Sequence, residues 1–497
     1  MAAMRVVPVA EAPVGIAVDA LAIAVSAGEV LNGSALEVDR ALGGMISEVL
    51  TSSEFKGDLH EVLPLHTQGR IAARRVILYG LGPRADLDGQ RLRSAHHQLL
   101  RSARKHGYRR VAILRTDPLG VETLQAVVEG SVMGTFERRS HQTSEPERGD
   151  VDELLLIGFG DGREREVDAA RQSGEATNRA RELSNMPANE LTPSGLADEA
   201  TRIAQRRGLE VEVLGPSELR AGGYNLLLGV AAGSAQAPRM IRLRHHSTQP
   251  DGGTVLSMVG KGITFDTGGI ALKEQVGMSK MKADMAGAAA VLSAIDAIAA
   301  RKLPLEVMAV VAAAENMPGP TAMRPGDVVV SAAGKTVEVL NPDAEGRLVL
   351  ADAITYALRS GATHIVDLAT LTGAATIAIG HAATAAVSND DAFWLLVEEA
   401  ARRAGDRVWR LPILADYRVL LRSKVADLRN SEYGEAGSIL GGMFIAEFVG
   451  GKPWAHLDIA ASSWNTNADL TTVHGGPSGA GTRICIELAE LLAVAAR

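Results

Sequence analysis

The chain has 497 residues, which is longer than one average domain and predicts two domains. Its composition, 46% hydrophobic and 22% charged, is typical of a soluble globular protein, and its formal net charge of -8 argues against nucleic-acid binding through a broad basic surface. The single cysteine, Cys485, excludes an internal disulfide and a metal site built from cysteines.

The sequence also predicts a cytoplasmic protein. The segment from Met1 to Ala10 lacks the basic start and the long apolar run of a signal peptide. No apolar run approaches the roughly 18 residues that a membrane-spanning helix needs, so we expect no membrane partner.

Short apolar runs alternate with stretches of helical spacing from residue 4 to about residue 160. This alternation predicts an α/β domain with a largely parallel sheet. The polar, aperiodic stretch 137–150 predicts a surface loop, and the helical position of His96 and His97 favours a surface location over a ligand role. The predicted strands are 15–25, 75–80, 110–114 and 154–158, and the predicted helices are 36–50, 90–106 and 119–136.

A charged, alanine-rich stretch, 164–183, predicts a helix that connects two domains. Prolines and asparagines then interrupt the chain between Asn185 and Pro193, which indicates a domain boundary. We therefore predict a small N-terminal α/β domain over 1–162, a connecting helix over 163–189, and a larger α/β domain with a central mixed sheet over 190–497.

The second predicted domain also alternates helices and strands. Thr192 is placed to cap its first helix, with Pro193 inside the first turn. Polar residues follow the ends of several strands, and open α/β sheets bind their ligands at the carboxyl ends of strands. The predicted helices are 194–207, 286–300 and 348–359, and the predicted strands are 210–214, 253–259, 305–314 and 364–368.

The stretch from Asn341 to Leu348, Asn-Pro-Asp-Ala-Glu-Gly-Arg-Leu, concentrates charged groups. In an extended segment Asp343, Glu345 and Arg347 would point to the same side, and Gly346 would allow a sharp bend between the last two. Two carboxylates and a guanidinium are costly to bury unless they bind something. The spacing therefore predicts a ligand for this stretch.

Two further polar clusters lie after a predicted strand or before a predicted helix. They are Lys261, Asp266 and Lys273 in one cluster and Asp284 in the other. Together with the acids of the charged stretch they offer an oxygen-rich site for two divalent ions, which Asp266 and Glu345 could each bridge. Lys261 could be a ligand only after losing its proton, and a neighbouring dication favours that loss.

Spacing alone leaves other interpretations open. Asp284 could cap its helix, Lys261 could pair with Asp266, and scattered acids usually lie on solvated faces. The glycine-rich turns could bind phosphate, but the segment 476–483 ends in Thr-Arg where a P-loop ends in Lys-Ser or Lys-Thr. The sequence contains no His-Glu-x-x-His pattern, which excludes a zincin site.

Six segments carry distinctive motifs, and together they resemble the signatures of the leucyl aminopeptidase (cytosol aminopeptidase) family. The segments are Asn341 to Leu348, Val259 to Gly269, Met281 to Asp284, Asp367 to Ala374, Asn185 to Pro193 and Trp454 to Ala460. The resemblance extends over most of the second predicted domain, whereas the first domain matches the family only in its general layout.

The resemblance implies a metal-dependent aminopeptidase that acts on peptides through two divalent ions. The ions are typically zinc, and manganese or magnesium can replace one of them. The tighter site would comprise Lys261, Asp266, Asp284 and Glu345. The exchangeable site would comprise Asp266, Glu345, and both the side chain and the backbone carbonyl of Asp343.

The resemblance also assigns roles around the ions. Lys273 would polarise the substrate carbonyl. Arg347 would hold a bicarbonate ion, which would act as general base on the water that bridges the two ions. A planar guanidinium suits the binding of a small oxyanion. The side-chain pocket would comprise Met281, Thr370, Gly373, Ala460 and Ser463, with Leu371 and Asn341 contacting the substrate backbone. Small residues and one methionine leave an apolar space that suits leucine-like N-terminal residues.

The resemblance further implies a homohexamer. The chain departs from the family pattern at two positions. Pro342 stands where the family normally has threonine, and it fixes φ and favours an extended residue before it. Ala461 stands where glycine is common. An alternative from a different class is a DNA-binding or catalytically weak family member that acts as a binding protein. The five metal-ligand positions are all present, and with the negative charge they weigh against that alternative.

Overall fold

The computed structural model describes residues 4–116, 121–137, 141–143, 149–160, 162–247, 253–431, 434–465 and 475–495. The chain divides into two compact units, one over 1–175 and the other over 176–470 and 475–497. Each unit has its own sheet and its own apolar core. The predicted α/β fold with two domains is confirmed, while the domain limits at 162 and 189 stay predictions.

The first unit contains a six-stranded sheet in the order β1-β6-β5-β2-β4-β3. Five strands are parallel to their neighbours, and only β3 is antiparallel, at the edge beside β4. The predicted, largely parallel sheet is therefore confirmed, although β1 and β3 were not predicted. The strands are β1 (Arg5–Val9), β2 (Ala20–Ser26), β3 (Val62–His66), β4 (Arg75–Gly82), β5 (Arg110–Leu114) and β6 (Glu153–Ile157).

The helices of the first unit correct one prediction. The single helix predicted over 36–50 is two helices, because Gly43 and Gly44 adopt positive φ values of 76 and 85 degrees between them. Residues 138–140 and 144–148 of the predicted loop lie outside the described residues. The helices are α1 (Gly33–Ala41), α2 (Met45–Thr51), α3 (Gly89–Lys105), α4 (Val121–Gly134) and α5 (Glu164–Asn185), which continues into the second unit, and a short 3-10 helix spans Arg84–Asp86.

His96 and His97 are buried, so their predicted surface location is wrong. The His96 imidazole hydrogen-bonds the carbonyl of Leu92 over 2.8 Å and the hydroxyl of Tyr79 over 3.0 Å. Burial lowers the pKa of His96 to about 4. The ring is therefore a neutral, hydrogen-bonded part of the core.

The second unit contains a mixed eight-stranded sheet in the order β15-β14-β17-β13-β9-β10-β8-β7. Its four central strands, β17, β13, β9 and β10, are parallel. The strands of this sheet are β7 (Glu210–Leu214), β8 (Arg239–His245), β9 (Val255–Asp266), β10 (Glu306–Asn316), β13 (His364–Ala369), β14 (Thr384–Ser388), β15 (Val408–Arg410) and β17 (Trp454–Asp458). The smaller pairings involve β11 (Asp327–Val330), β12 (Thr336–Val339), β16 (Leu428–Arg429), β18 (Trp464–Asn465) and β19 (Gly476–Pro477).

Helices cover this sheet. The Thr192 hydroxyl accepts a hydrogen bond from the N–H of Gly195 over 3.2 Å at the start of α6, which confirms the predicted cap. The helices are α6 (Pro193–Arg207), α7 (Pro216–Gly222), α8 (Asn225–Ala231), α9 (Ala286–Arg301), α10 (Gly346–Arg359), α11 (Gly373–Ile379), α12 (Asp391–Ala404), α13 (Gly437–Ala446) and α14 (Thr482–Ala495), and two 3-10 helices span Met278–Ala283 and Ala415–Leu421.

One segment contradicts the expectation that no apolar stretch is long enough to cross a membrane. Met278–Arg301 is 24 residues long and sufficiently apolar by composition. However, 89% of its most apolar window is buried inside the protein. The segment ends in α9, which is a core helix packed against the central sheet.

Glycines allow α9 to lie very close to the sheet. A Cβ on Gly287 would lie 2.0 Å from the carbonyl oxygen of Leu368, and a Cβ on Gly260 would lie 2.7 Å from the Cα of Ala288. Neither contact is sterically possible, so both positions require glycine. This close packing brings Asp284, just before α9, beside the carboxyl-terminal half of β9.

Candidate metal centre

Polar side chains mark the carboxyl ends of the four parallel central strands. Asp266 ends β9, Asn316 ends β10, Asp458 ends β17, and Thr370 follows β13. Parallel strands end at the same edge of a sheet, so these side chains lie along one edge. The predicted gathering of polar residues at strand ends is confirmed.

The charged stretch Asn341–Leu348 is a turn followed by a helix, and its predicted extended conformation is wrong. The N–H of Ala344 donates to the carbonyl of Asn341 over 3.0 Å, and the N–H of Asp343 donates to the side-chain oxygen of Asn341 over 2.9 Å. Pro342 occupies the second position of this turn, where its fixed φ is favourable. The proline therefore fits a turn rather than a strand.

Glu345 and Arg347 belong to the start of α10. Glu345 is the N-cap residue with helical dihedral angles, and the helix begins at Gly346. A Cβ on Gly346 would lie 2.9 Å from the Nζ of Lys261. The absence of a side chain at Gly346 thus allows the close approach of Lys261, and the bend that we predicted at this residue is a helix start.

Lys261 is buried between two acids. Its Nζ lies 2.9 Å from Oδ2 of Asp284 and 2.7 Å from Oε1 of Glu345, and it donates to the carbonyl of Thr370 over 2.9 Å. The alternative pairing of Lys261 with Asp266 is not the one observed. Burial alone would lower the pKa of Lys261, but the carboxylates of Asp284 and Glu345 outweigh burial and raise it.

Lys273 binds the other two acids. Its Nζ lies 2.9 Å from Oδ2 of Asp266 and forms a close ion pair with Asp343. Burial opposes the charge, yet the acids, Asp266 foremost, raise the pKa of Lys273 above its ordinary value. Its side chain is 24% exposed, whereas that of Lys261 is 3% exposed. Lys273 is therefore the lysine that a substrate can reach.

The four carboxylates repel one another. Burial, together with the charge of Asp266, raises the pKa of Glu345 to about 8 and that of Asp284 to about 6, and burial raises the pKa of Asp343. The two lysines and the neighbouring Arg347 supply three positive charges against four carboxylates. This excess of buried negative charge is what divalent cations would neutralise.

The geometry of the carboxylate oxygens fits divalent ions. One oxygen each of Asp266, Asp343 and Glu345 lie within 4.8 Å of one another. Within the described residues, Asp284 Oδ2, Asp343 Oδ1 and Glu345 Oε1 are buried without a hydrogen bond of ordinary geometry, although each lies within ion-pair distance of a lysine. Such oxygens retain lone pairs for a metal ion. The residues present therefore suit a divalent metal centre.

Arg347 is a fixed cation beside these acids. It is buried, and its Nη1 donates to the carbonyl of Asn430 over 2.7 Å. Burial lowers the pKa of Arg347 to about 10, a drop limited by Glu345. The side chain stays charged at neutral pH, and its Nε has no hydrogen-bond acceptor among the described residues.

The predicted substrate residues surround the same edge. The Thr370 hydroxyl donates to Asp284 over 2.7 Å, and Met281 lies in the 3-10 helix that leads to Asp284. Gly373 begins α11, and a Cβ there would meet no atom within 4 Å. The structure thus leaves open space around the Cα of Gly373.

Three residues that hold the site together were not predicted. Asp458 accepts hydrogen bonds from the N–H groups of Leu371 and Ala460 over 3.0 and 3.1 Å, and so joins two predicted substrate segments. Asn316 donates to Asp266 over 2.9 Å and to the carbonyl of Pro342 over 3.1 Å. The third is Asn430, which hydrogen-bonds Asn341 with its side chain and Arg347 with its carbonyl. Asn316 lies two residues beyond the predicted strand 305–314, which was the available sequence signal, whereas Asp458 ends a strand that was not predicted.

Family models match both parts of the chain. The catalytic-domain model of the cytosol aminopeptidase family matches residues 178–486, and the N-terminal-domain model of the same family matches residues 22–144. The chain belongs to the cytosol aminopeptidase family. It is a peptide hydrolase of the metal-dependent aminopeptidase class, and the resemblance seen in its motifs is confirmed.

Relatives of similar length support this assignment. The chain is 41% identical over 466 residues to a probable cytosol aminopeptidase of Alkaliphilus metalliredigens, covering 91% of this chain and 92% of the relative. It is 42% identical over 443 residues to a probable cytosol aminopeptidase of Solibacter usitatus, covering 89% and 92%.

Two solved structures resemble the fold closely. A mutant of tomato leucine aminopeptidase matches with a TM-score of 0.88 and 32% identity, covering 98% of this chain and 96% of that one. The bottromycin maturation enzyme BotP in complex with Mn matches with a TM-score of 0.84 and 33% identity, covering 96% and 100%.

Proposed function

We propose that this cytosol aminopeptidase family member is a dimetal enzyme that releases leucine-like N-terminal residues from peptides. The observation that carries the proposal is the set of four carboxylates and Lys261 at one sheet edge, where three buried carboxylate oxygens have only lysine ion pairs, and no hydrogen bond of ordinary geometry, among the described residues. The manganese complex of the similar BotP structure supports divalent ions as the ligands.

The chain's own residues divide into two ligand sets. The tighter set would be Lys261, Asp266, Asp284 and Glu345, and the exchangeable set would be Asp266, Asp343 and Glu345. Two divalent ions, zinc or manganese with magnesium able to replace one of them, would supply an activated water, polarise the scissile carbonyl and bind the substrate's free α-amine. Lys261 must release its proton to join the first set, so metal binding competes with its ion pairs.

Two cations complete the proposed chemistry. Lys273, the more exposed lysine, would donate a hydrogen bond to the substrate carbonyl and stabilise the charge that develops on its oxygen. Arg347 would bind bicarbonate through the guanidinium edge that carries Nε. Bicarbonate held there would supply a general base for the attacking water.

The proposed preference for leucine-like residues depends on small side chains. A Cβ on Gly373 would meet no atom within 4 Å, and the pocket would be completed by Ala460, Met281 and Thr370. Asn341 and Leu371 would contact the substrate backbone. We further propose a cytoplasmic homohexamer. Because the acids, Lys273 and Arg347 converge, we propose catalysis rather than nucleic-acid binding alone.

The test is hydrolysis of Leu-p-nitroanilide by the purified protein with Mn²⁺ or Zn²⁺. We expect activity with added metal, loss of activity with a chelator, and no cleavage of an N-acetylated peptide that is otherwise identical. A panel of N-terminal residues should give the highest kcat/KM for leucine or methionine. A protein that is inert with both metals would overturn the proposal, and equal rates for all N-terminal residues would remove the leucine preference.

A further inference from the structure

We propose that Asn430 is a positioning residue that ties the turn carrying Asp343 to the guanidinium of Arg347. Asn430 follows β16 and is fully buried. It is neither a proposed metal ligand nor a proposed substrate contact. The inference rests on the proposed function, because it concerns how the metal ligand Asp343 and the anion-binding Arg347 keep their separation.

The Asn430 side chain makes four hydrogen bonds to the backbone of the turn. Its Oδ1 accepts from the N–H groups of Leu340 and Asn341 over 2.8 and 3.2 Å. Its Nδ2 donates to the carbonyls of Asn341 and Ala344 over 2.7 and 3.3 Å. These bonds attach to residues on both sides of Asp343, so they fix the direction in which its carboxylate leaves the turn.

The backbone of the same residue holds Arg347. The carbonyl of Asn430 accepts from Arg347 Nη1 over 2.7 Å, a charge-assisted contact in a buried place. The N–H of Asn430 donates to the carbonyl of Glu338 in β12 over 3.0 Å, which anchors it to a strand. One residue therefore binds the acid-bearing turn with its side chain and the guanidinium with its main chain.

Only an amide of this length can make all four side-chain hydrogen bonds to the turn. Asparagine offers two donors and two acceptor lone pairs, and all four are used here. Aspartate keeps the acceptors but loses the donors, which sets a carboxylate against the carbonyls of Asn341 and Ala344. Alanine leaves two N–H groups and two carbonyls of the turn without these partners. Both substitutions leave the proposed ligands and Arg347 themselves unchanged.

The test compares Asn430→Ala and Asn430→Asp with Asn389→Ala. Asn389 lies after β14, away from the acids, and its amide also bonds two backbone groups, the carbonyl of Lys452 and the N–H of Trp454. The measurements are Mn²⁺ binding by calorimetry, thermal stability, kcat and KM for Leu-p-nitroanilide, and the bicarbonate concentration that gives half-maximal rate.

For both Asn430 variants we expect about 10- to 100-fold weaker binding of one Mn²⁺ and a kcat lower by a similar factor, with KM changed less. We also expect a higher bicarbonate requirement. Asn389→Ala should leave Mn²⁺ affinity, kcat and the bicarbonate requirement unchanged. Folded Asn430 variants with wild-type Mn²⁺ affinity and bicarbonate dependence would overturn the inference, as would the same changes in Asn389→Ala. An inactive wild-type protein would instead overturn the proposed function.

Discussion

Replacing Gly346 with alanine isolates the contact between α10 and Lys261. The added Cβ would lie 2.9 Å from Lys261 Nζ and 3.0 Å from its Cδ and Cε. Carbon atoms pack best at about 3.5–4.0 Å, so the lysine must retreat by about 0.5 Å or more. Its ammonium cannot swing away freely, because Asp284, Glu345 and the carbonyl of Thr370 hold it at 2.7–2.9 Å.

The expected effect on stability is small and the expected effect on metal binding is large. Alanine is favoured over glycine in a helix by about 1 kcal/mol, and overpacking a buried site costs about 1–3 kcal/mol. Gly346→Ala should therefore fold. Metal ligands tolerate displacements of only about 0.2 Å, and displaced supporting groups weaken metal binding by about 10- to 100-fold.

The assay is Mn²⁺ titration by calorimetry beside thermal melting, with Gly373→Ala as the matched control. Gly373 is also the first residue of a helix, and its Cβ would meet nothing within 4 Å. The control should bind Mn²⁺ like the wild type, while its KM for Leu-p-nitroanilide rises because the added methyl enters the proposed pocket. A folded Gly346→Ala with wild-type Mn²⁺ affinity would refute the role of Lys261 in the metal centre.

Three further predictions concern the same edge of the sheet. The pKa of Glu345 is raised from an ordinary 4.5 to about 8, so between these pH values the folded state binds more protons than the unfolded state. The melting temperature of chelator-treated protein should therefore fall from pH 5 to pH 8, and Mn²⁺ should remove this fall. A melting temperature that does not change with pH in the chelator-treated protein would contradict the prediction. Arg347→Ala should lower kcat roughly 100-fold, with partial recovery at high bicarbonate, and a wild-type rate without added bicarbonate would exclude Arg347 from the reaction. Asn316→Ala should weaken Mn²⁺ binding about tenfold or more, because Asp266 and the turn at Pro342 lose a shared donor, and unchanged affinity would show that Asn316 is dispensable.

The sequence predicted three of the four parallel strands that carry the site, because buried parallel strands are continuous apolar runs, but it did not predict β17. The structure extends the run 253–259 into β9 as far as Asp266, and it ends 305–314 two residues later, at Asn316. The polar residues at these ends, Asp266 and Asn316, belong to the strands and also form part of the candidate metal centre. A search for apolar runs does not detect polar residues, so the predicted strands ended before the site.

The charged stretch shows why the site chemistry was easier to predict than its conformation. Alternation of Asp343, Glu345 and Arg347 suggested a strand, but the local hydrogen bonds of Asn341 and the fixed φ of Pro342 favour a turn. The convergence of the acids was still correct, because α10 begins at Gly346 and directs its first residues to the sheet edge. Tertiary partners such as Asn430 and Asp458 lie far away in sequence and had no local signal for their roles.

The most direct test of the proposed dimetal centre is the number of ions bound per chain after dialysis against Zn²⁺ or Mn²⁺, measured by elemental analysis. We expect two ions for the wild type and loss of both in Asp266→Ala, because Asp266 belongs to both proposed ligand sets. Asp391→Ala, which removes a highly exposed carboxylate, should retain two. Fewer than two ions in the wild type, or an unchanged count in Asp266→Ala, would contradict a dimetal centre at this site.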